Sequence, residues 1–428
     1  MTGRRGTSGI GIGSGIGGIS LALACIAPLA ACSSGGSTGQ AVVEPPRTVD
    51  AAPLVHISAT GQVDPSKPFT VTAEPGSRLT DVTVSGPDGR LVAGQLSQDQ
   101  RSWQSTGHLK AATSYAVRIA ADDGNGGRGE TTSSFSTVAA QRLLTAKLGP
   151  DSSGSGVYGV GQPLTVQLSE PVKDPAARQD VEKALTVVSQ PAVIGAWYWV
   201  DDSNLHFRPK DYWPANAKVA VSFDGEGSRI SDGLYGGQRA TMNLKTGDRV
   251  ESIVDAGTHE LTLTRNGQTV RTIPVTTGKP GFSTRNGIKV VLGQEREVRM
   301  SGESIGIAAG SSESYDLQVQ WATRVTWSGE YVHAAPWSVA SQGVDNVSHG
   351  CTGMSTENAK WFYEQTRIGD LVQVVNSKGA GMEPFGNGFG DWNVGWDDWL
   401  KHSATGQPVS TADPAGPAGA TSVILPQL

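Results

Sequence analysis

Cysteine is scarce in this chain: the 428 residues hold three, at positions 25, 32 and 351. That spacing excludes a disulfide-stapled scaffold, and with so few histidines it gives no paired metal-ligand pattern, so neither a metal nor another cofactor is expected. Charge is also sparse, at 17% of residues with a formal net charge of −6. Without a basic stripe there is no argument for nucleic acid as a partner, and the aromatics, 6% of residues, are too scattered for an RNA-binding pattern. An apolar stretch at residues 10–31 is diluted by glycine, which disfavours a membrane-spanning helix. What the chain has in quantity is Gly, Ser, Thr and Val, a composition that favours β-rich, extracytoplasmic domains.

The N-terminal segment reads as an export signal. Arg4 and Arg5 form a short basic region, an apolar run follows, and Leu29-Ala30-Ala31-Cys32 has the small residues of a lipoprotein processing site. The ordinary signal peptide is the competing reading. The polar tether Ser33-Ser34-Gly35-Gly36-Ser37 favours lipidation of Cys32 and hence a membrane anchor. Cys25 would leave with the signal at residues 1–31, making Cys351 the one free thiol of the mature chain. Such a thiol is either reactive or a buried hydrophobe.

Residues 32–53 read as a linker ending near Pro45-Pro46. From 54 to 142, short alternating runs such as Phe69-Thr-Val-Thr and Tyr115-Ala-Val-Arg-Ile are separated by Gly, Pro and Asp clusters. The pattern returns from 143 to 247, where Pro163-Leu-Thr-Val-Gln-Leu echoes Pro68-Phe-Thr-Val-Thr. The fold class is therefore mainly β, beginning with two tandem immunoglobulin-like sandwiches, the second carrying a short helix near 176–185. Trp197, Tyr198, Trp199, Tyr212 and Trp213 could form a sugar platform, but core packing is the stronger reading. Neither sandwich has His, Cys or acids in catalytic-looking spacing, so both read as a spacer. The texture changes at 248. Asn266-Gly267 marks a hairpin turn, and residues 299–314 form a polar, glycine-rich loop. A catalytic domain at 248–378 is expected, then a Trp-rich segment at 379–402 and a structureless Pro/Ala-rich tail at 403–428.

The chemistry gathers at Ser348-His349-Gly350-Cys351, with His333 upstream. A free thiol titrates near ~8.5, so few are ionised at neutral pH. An imidazole in reach can take the proton as attack begins, which makes Cys351 a nucleophile and His333 its general base. Gly350 permits a backbone turn that a Cβ would obstruct, and its amide is expected to face a developing oxyanion. The helix-like run from Thr356 to Arg367 would place a helix N-terminus near the thiol. A papain-like protease would run cysteine first and histidine far downstream, the reverse of this order.

These residues resemble the catalytic core of the L,D-transpeptidases, which cross-link bacterial peptidoglycan. His-x-Ala-Pro-Trp-Ser at 333–338, Ser-His-Gly-Cys at 348–351, Asn-Ala-x-Trp-Phe-Tyr at 358–363 and Gly-Asp-Trp-Asn at 390–393 carry the resemblance. The overall layout is similar to the family's lipid-anchored actinobacterial branch. The resemblance implies a thioester on Cys351, with donor and acceptor peptidoglycan stem peptides as partners. The product is a 3→3 cross-link between diaminopimelate residues, and carbapenem β-lactams are the expected covalent inhibitors. It also implies that the Ala334 carbonyl orients His333 and that His349 supports the site. Tyr315, Met300, Trp337 and Ser348 would contact substrate, and the loop at 299–314 would be a lid. An L,D-carboxypeptidase and a non-catalytic wall-binding lipoprotein are the alternatives. Thr352-Gly353 stands where the family usually has a hydrophobic residue and asparagine. Glycine there should loosen the site, so Gly353→Asn is expected to speed acylation. Since every candidate catalytic residue lies after 247, a fragment spanning 248–402 is expected to keep the acylation chemistry.

Overall fold

Alternating burial along short strands builds both N-terminal domains. In the computed structural model, which describes residues 47–58, 60–150 and 156–413, the strand Ser114–Asp122 turns Tyr115, Val117, Ile119 and Ala121 inward and its polar residues outward. It lies between Gly127–Thr137 and Arg78–Ser85 in one sheet. The facing sheet orders Val55–Ile57, Thr70–Ala73, Ser102–Ser105 and Gly94–Leu96. Phe69 and Phe135 stack between the two at 4.2 Å. Residues 1–46, which include the expected signal, Cys32 and most of the linker, lie outside the described residues, as do 414–428. The end of the expected linker belongs to this first sandwich instead. Arg47–Thr48 pairs with Gly127–Arg128, and Ala51 is fully buried.

The second sandwich repeats the plan. One sheet orders Ala146–Gly149, Leu164–Leu168, Asn204–Pro209 and Ile194–Trp199, and the other Val157–Tyr158, Ala240–Thr246, Lys218–Phe223 and Leu185–Gln190. The expected helix is Pro175–Ala184, started by proline and capped by Asp174, whose carboxylate accepts from Ala177 N–H at 2.8 Å. Trp197, Trp199 and Trp213 are core residues, each under 5% exposed, so the aromatic run is packing rather than a sugar platform.

The C-terminal domain has two sheets. The larger orders Gln268–Pro274, Glu260–Arg265, Val250–Asp255, Leu371–Val375 and Gly287–Val290. The hairpin of Glu260–Arg265 and Gln268–Pro274 turns at Asn266-Gly267, both with positive φ, as a type I′ turn demands. The smaller sheet orders Gly293–Ser301, Asp316–Arg324, Tyr331–Ala334 and Thr352–Met354. Between them lie Leu261, Ile273, Val332, Met354 and Phe362.

The second sandwich and the catalytic domain share a core. Leu371 and Val290 belong to the same apolar cluster as Trp213 and Phe207. Gly159 and Gly161 donate to the carbonyls of Ile368 and Gly369 at 2.8 and 2.9 Å. The Trp-rich segment fastens the junction: Trp392 Nε1 donates to Gly161 O, and Trp399 Nε1 donates to Ala196 O. The expected structureless tail is corrected up to residue 413. Val409–Ser410 adds a strand beside Ile194–Gly195 and Thr411 is fully buried. Glu182 accepts from Ser403 Oγ and Thr405 N–H. Composition hid this because the anchoring groups are small hydroxyls and main-chain amides.

Candidate active site

Parallel pairing of two short strands brings the nucleophile and base together. Val332 pairs with Thr352 and His333 with Gly353, so Cys351 sits at the strand's entry beside the histidine. Both line a cleft of about 310 Å³ with Met300, Tyr315, Trp337 and Ser348, which gathers the candidate residues in one place. Leu317, Val319, Ala335 and Val347 are among the apolar residues of its wall.

His333 is buried, and its Nδ1–H donates to the Ala334 carbonyl at 2.8 Å. A carbonyl can only accept, which fixes the tautomer and leaves Nε2 with a free lone pair. Burial holds this imidazole below its ordinary pKa, against the pull of the Ala334 carbonyl, so it is neutral and basic at neutral pH. The Cys351 sulfur lies 3.5 Å from the Gly329 carbonyl, to which its S–H donates. Burial pushes this thiol up to about 12. The resting pair is therefore neutral thiol and neutral imidazole. A helix N-terminus does not lower the thiol as expected. The strand Thr352–Met354 intervenes, and the helix Thr356–Gln365 starts beyond it, with Ser355 as its cap.

The turn before the nucleophile is tightly tied. Ser348 Oγ donates to Cys351 O at 2.6 Å and accepts from Gly350 N–H at 3.1 Å. Thr284 Oγ1 donates to Gly350 O. Gly350 has φ +121°, where a Cβ would be strained. Its amide is thus committed to Ser348 rather than free for an oxyanion, a correction to the expected role. The N–H of Cys351 has no hydrogen-bond partner among the described residues.

His349 is a post rather than a second base. Its Nε2 lies 2.7 Å from Glu313 Oε2, which also receives Lys279 Nζ at 2.5 Å. Tyr315 stacks on the His349 ring at 4.9 Å and Phe282 meets it edge-on at 4.7 Å. The stretch expected to be a lid, 299–314, begins inside the strand Gly293–Ser301. Glu313 lies at its end and Tyr315 directly follows it, so this cluster holds the loop to the catalytic turn. Lys279 and then His349 keep the Glu313 carboxyl below its ordinary value. Trp337 is 55% exposed at the mouth, its ring centre 6.2 Å from that of His333.

Sequence reasoning missed the charged residues behind the turn. Lys289, 0% exposed, bonds Glu330 Oε2 at 2.5 Å, and Arg285 bonds Glu330 Oε1 through both backbone N–H and Nη1. The signal was a lone lysine inside the apolar strand Gly287–Val290. Gly353 is also unlike its expectation: it is buried in a paired strand, not in a loosened turn.

The chain is similar to known proteins over both its sandwich and its catalytic regions. A family profile described as the L,D-transpeptidase catalytic domain matches residues 249–374, and one described as a bacterial Ig domain matches 60–229. The chain is 36% identical over 338 residues to L,D-transpeptidase 2 of Mycobacterium tuberculosis (strain CDC 1551 / Oshkosh), covering 79% of this chain and 81% of that one. It is 31% identical over 336 residues to L,D-transpeptidase 5 of Mycobacterium tuberculosis (strain ATCC 25618 / H37Rv), covering 77% and 72%. Among solved structures, an L,D-transpeptidase in complex with imipenem is similar at 35% identity and a TM-score of 0.47, covering 55% of this chain and 99% of that one.

Proposed function

Since the chain belongs to the L,D-transpeptidase family, we propose that Cys351 and His333 carry its acyl transfer as a neutral nucleophile–base pair. The observation that carries this reading is the Nδ1–H bond from His333 to the Ala334 carbonyl, which presents Nε2 as the base on the cleft shared with Cys351.

In the donor stem the scissile bond joins diaminopimelate to D-alanine. As the Cys351 sulfur attacks that carbonyl, its proton passes to His333 Nε2. The carbonyl oxygen becomes an oxyanion, which the unpartnered Cys351 N–H is free to meet. The C–N bond then breaks, the amine of D-alanine takes the proton from His333, and a thioester remains. The side-chain amine of a second stem attacks the thioester and gives its proton to His333. The thiolate leaves and is reprotonated, yielding a 3→3 cross-link. An acyl bond is exchanged at each step, so no nucleotide is consumed. An imidazole held below its usual pKa keeps its lone pair available for each of these transfers.

A β-lactam carbonyl offers the same sulfur an acylating bond whose leaving group stays tethered, so carbapenems are proposed as covalent inhibitors. The mature chain is also proposed to begin at a lipidated Cys32 and to face the cell wall from the membrane, with the two sandwiches as spacer. The sequence around Cys32 supports that placement. Two or more acyl chains would give stable anchoring where one is marginal.

Intact-mass analysis with imipenem and with purified stems tests the site. The unaltered protein should gain one adduct and form cross-linked dimers, and Cys351→Ala should gain none. An adduct surviving in Cys351→Ala would remove the nucleophile assignment. Fatty-acid labelling that Cys32→Ala abolishes is expected, and a soluble, unlabelled parent would overturn the anchor.

A further inference from the structure

A buried ion pair beside a nucleophile needs a reason, because apolar residues of the same volume often serve stability as well or better. Lys289 has 0% side-chain exposure and Glu330 8%. Burial pushes the Lys289 ammonium down, and Glu330 opposes that shift. Arg285 adds two further bonds to the same carboxylate and pairs outward with Glu383. Glu330 therefore has three donors on its two oxygens.

Glu330 occupies a specific place in the chain. The residue before it, Gly329, supplies the carbonyl that receives the Cys351 thiol. The backbone N–H of the residue after it, Tyr331, is among the groups that hold the thiol's pKa down against burial. Glu330's own N–H is held by Thr326 Oγ1 at 2.8 Å, closing the tight turn. A Cβ placed on Gly350 would lie 4.0 Å from Glu330 Cγ, so the anchored side chain also backs the catalytic turn.

We propose that the Lys289–Glu330 pair is a positioning device for the nucleophile. It pins the turn whose Gly329 carbonyl receives the thiol and whose Tyr331 N–H serves the sulfur once the proton has left. The sulfur must exchange one partner for the other as His333 takes its proton, and both partners flank a side chain fixed from the edge strand Gly287–Val290 of the larger sheet. Lys289 and Glu330 are positioning residues, since neither is placed on substrate. The inference rests on Cys351 being the nucleophile.

Imipenem acylation of the full chain tests it, followed by stopped-flow and intact mass at several concentrations. Lys289→Met with Glu330→Met keeps volume and removes the pin. Its unfolding temperature should stay close to the parent's. The acylation rate at saturation should fall by about ten- to a hundredfold, as a misplaced reacting group does, with the half-saturating concentration unchanged. A double variant that acylates as fast as the parent would overturn the proposal. So would a loss confined to the half-saturating concentration, which would mean an altered cleft wall. Should the double variant fail to fold, Glu330→Gln is measured in the same way, and the same outcomes support or overturn the proposal. A parent that forms no adduct would instead defeat the assignment of Cys351.

Discussion

Gly353 and Thr276 exchange both of their backbone hydrogen bonds, Gly353 N–H to Thr276 O at 2.8 Å and Thr276 N–H to Gly353 O at 2.9 Å. The glycine is therefore held by its neighbours on two sides, with His333 its partner across the parallel pair. A Cβ there would lie 3.0 Å from Ala335 Cβ and 3.1 Å from Thr276 Cγ2. Both are short, stiff groups on paired backbone. Gly353→Asn should slow imipenem acylation and cost on the order of 1–3 kcal/mol of stability through overpacking. This reverses the expectation from sequence, which treats the glycine as a loosened turn. Stopped-flow acylation and thermal unfolding of both forms decide it, and a faster, equally stable Gly353→Asn would favour the loosened turn.

The neutral resting pair has a pH signature. His333 is held below its ordinary value and Cys351 is pushed up to about 12, both mainly by burial. Imipenem acylation uses the imidazole as base, so its rate should rise as His333 loses its proton, below the ordinary ~6.5, and stay level through pH 8. Iodoacetamide needs thiolate, so its rate should climb about tenfold per pH unit between 7 and 9 with no plateau. A preformed thiolate–imidazolium pair would give iodoacetamide rates flat across that range. Measuring both reagents on one preparation separates the two.

Much of this was legible in the sequence. Alternating β-branched runs and Asn266-Gly267 told of strands and a hairpin because period and turn chemistry are local properties. His333, Ala334, Cys351 and the cleft-lining Met300, Tyr315 and Trp337 were legible through motif order. What was hidden depends on which distant residues meet. Glu182 reads as a surface helix acid, yet it receives Ser403 and Thr405 from the far end of the chain. Nothing local to Gly350 reveals that Ser348 claims its amide, and nothing local to Glu330 reveals Lys289 beneath it.

Releasing the loop at its charged end should affect binding more than chemistry. Glu313 joins Lys279 to His349, and Tyr315 lies on the same ring. Glu313→Ala removes both polar ties and leaves His333 and Cys351 untouched. The half-saturating concentration of imipenem should rise several-fold, with the saturating rate within about threefold, the pattern of lost uniform binding. Stopped-flow titration gives both numbers. A fall in the saturating rate alone would make Glu313 part of the chemistry.

The shared core changes what truncation should do. A fragment spanning 248–402 would expose Leu371 and Val290 and strip Trp392 of Gly161. It should unfold at a lower temperature and acylate poorly. A chain beginning near residue 143 keeps the second sandwich and should acylate like the full protein. Circular dichroism with intact-mass acylation compares them. A 248–402 fragment as stable and reactive as the longer chain would show that the junction is not needed.

Asp370 lies in that junction, fully buried, with Arg367 N–H on one oxygen and no partner for Oδ1. A Cβ on Gly159 would fall 2.3 Å from that same Oδ1, which shows how closely the second sandwich covers it. Burial raises this carboxyl from 3.8 to about 7, against Arg367 N–H and the guanidinium groups of Arg367 and Arg265. The folded chain thus holds a proton that the unfolded chain has already released. That protonated contribution to stability is complete below pH 3.8 and is lost as pH rises through about 7. Above that, the junction carries a buried, half-bonded carboxylate. Asp370→Asn keeps an oxygen for Arg367 N–H and removes the charge. It should match the parent's unfolding temperature near pH 4 and exceed it increasingly up to pH 8, by an amount on the order of a few kcal/mol at most. Thermal unfolding of both proteins across that range is the measurement. A gain independent of pH would mean that packing, not ionisation, limits the junction.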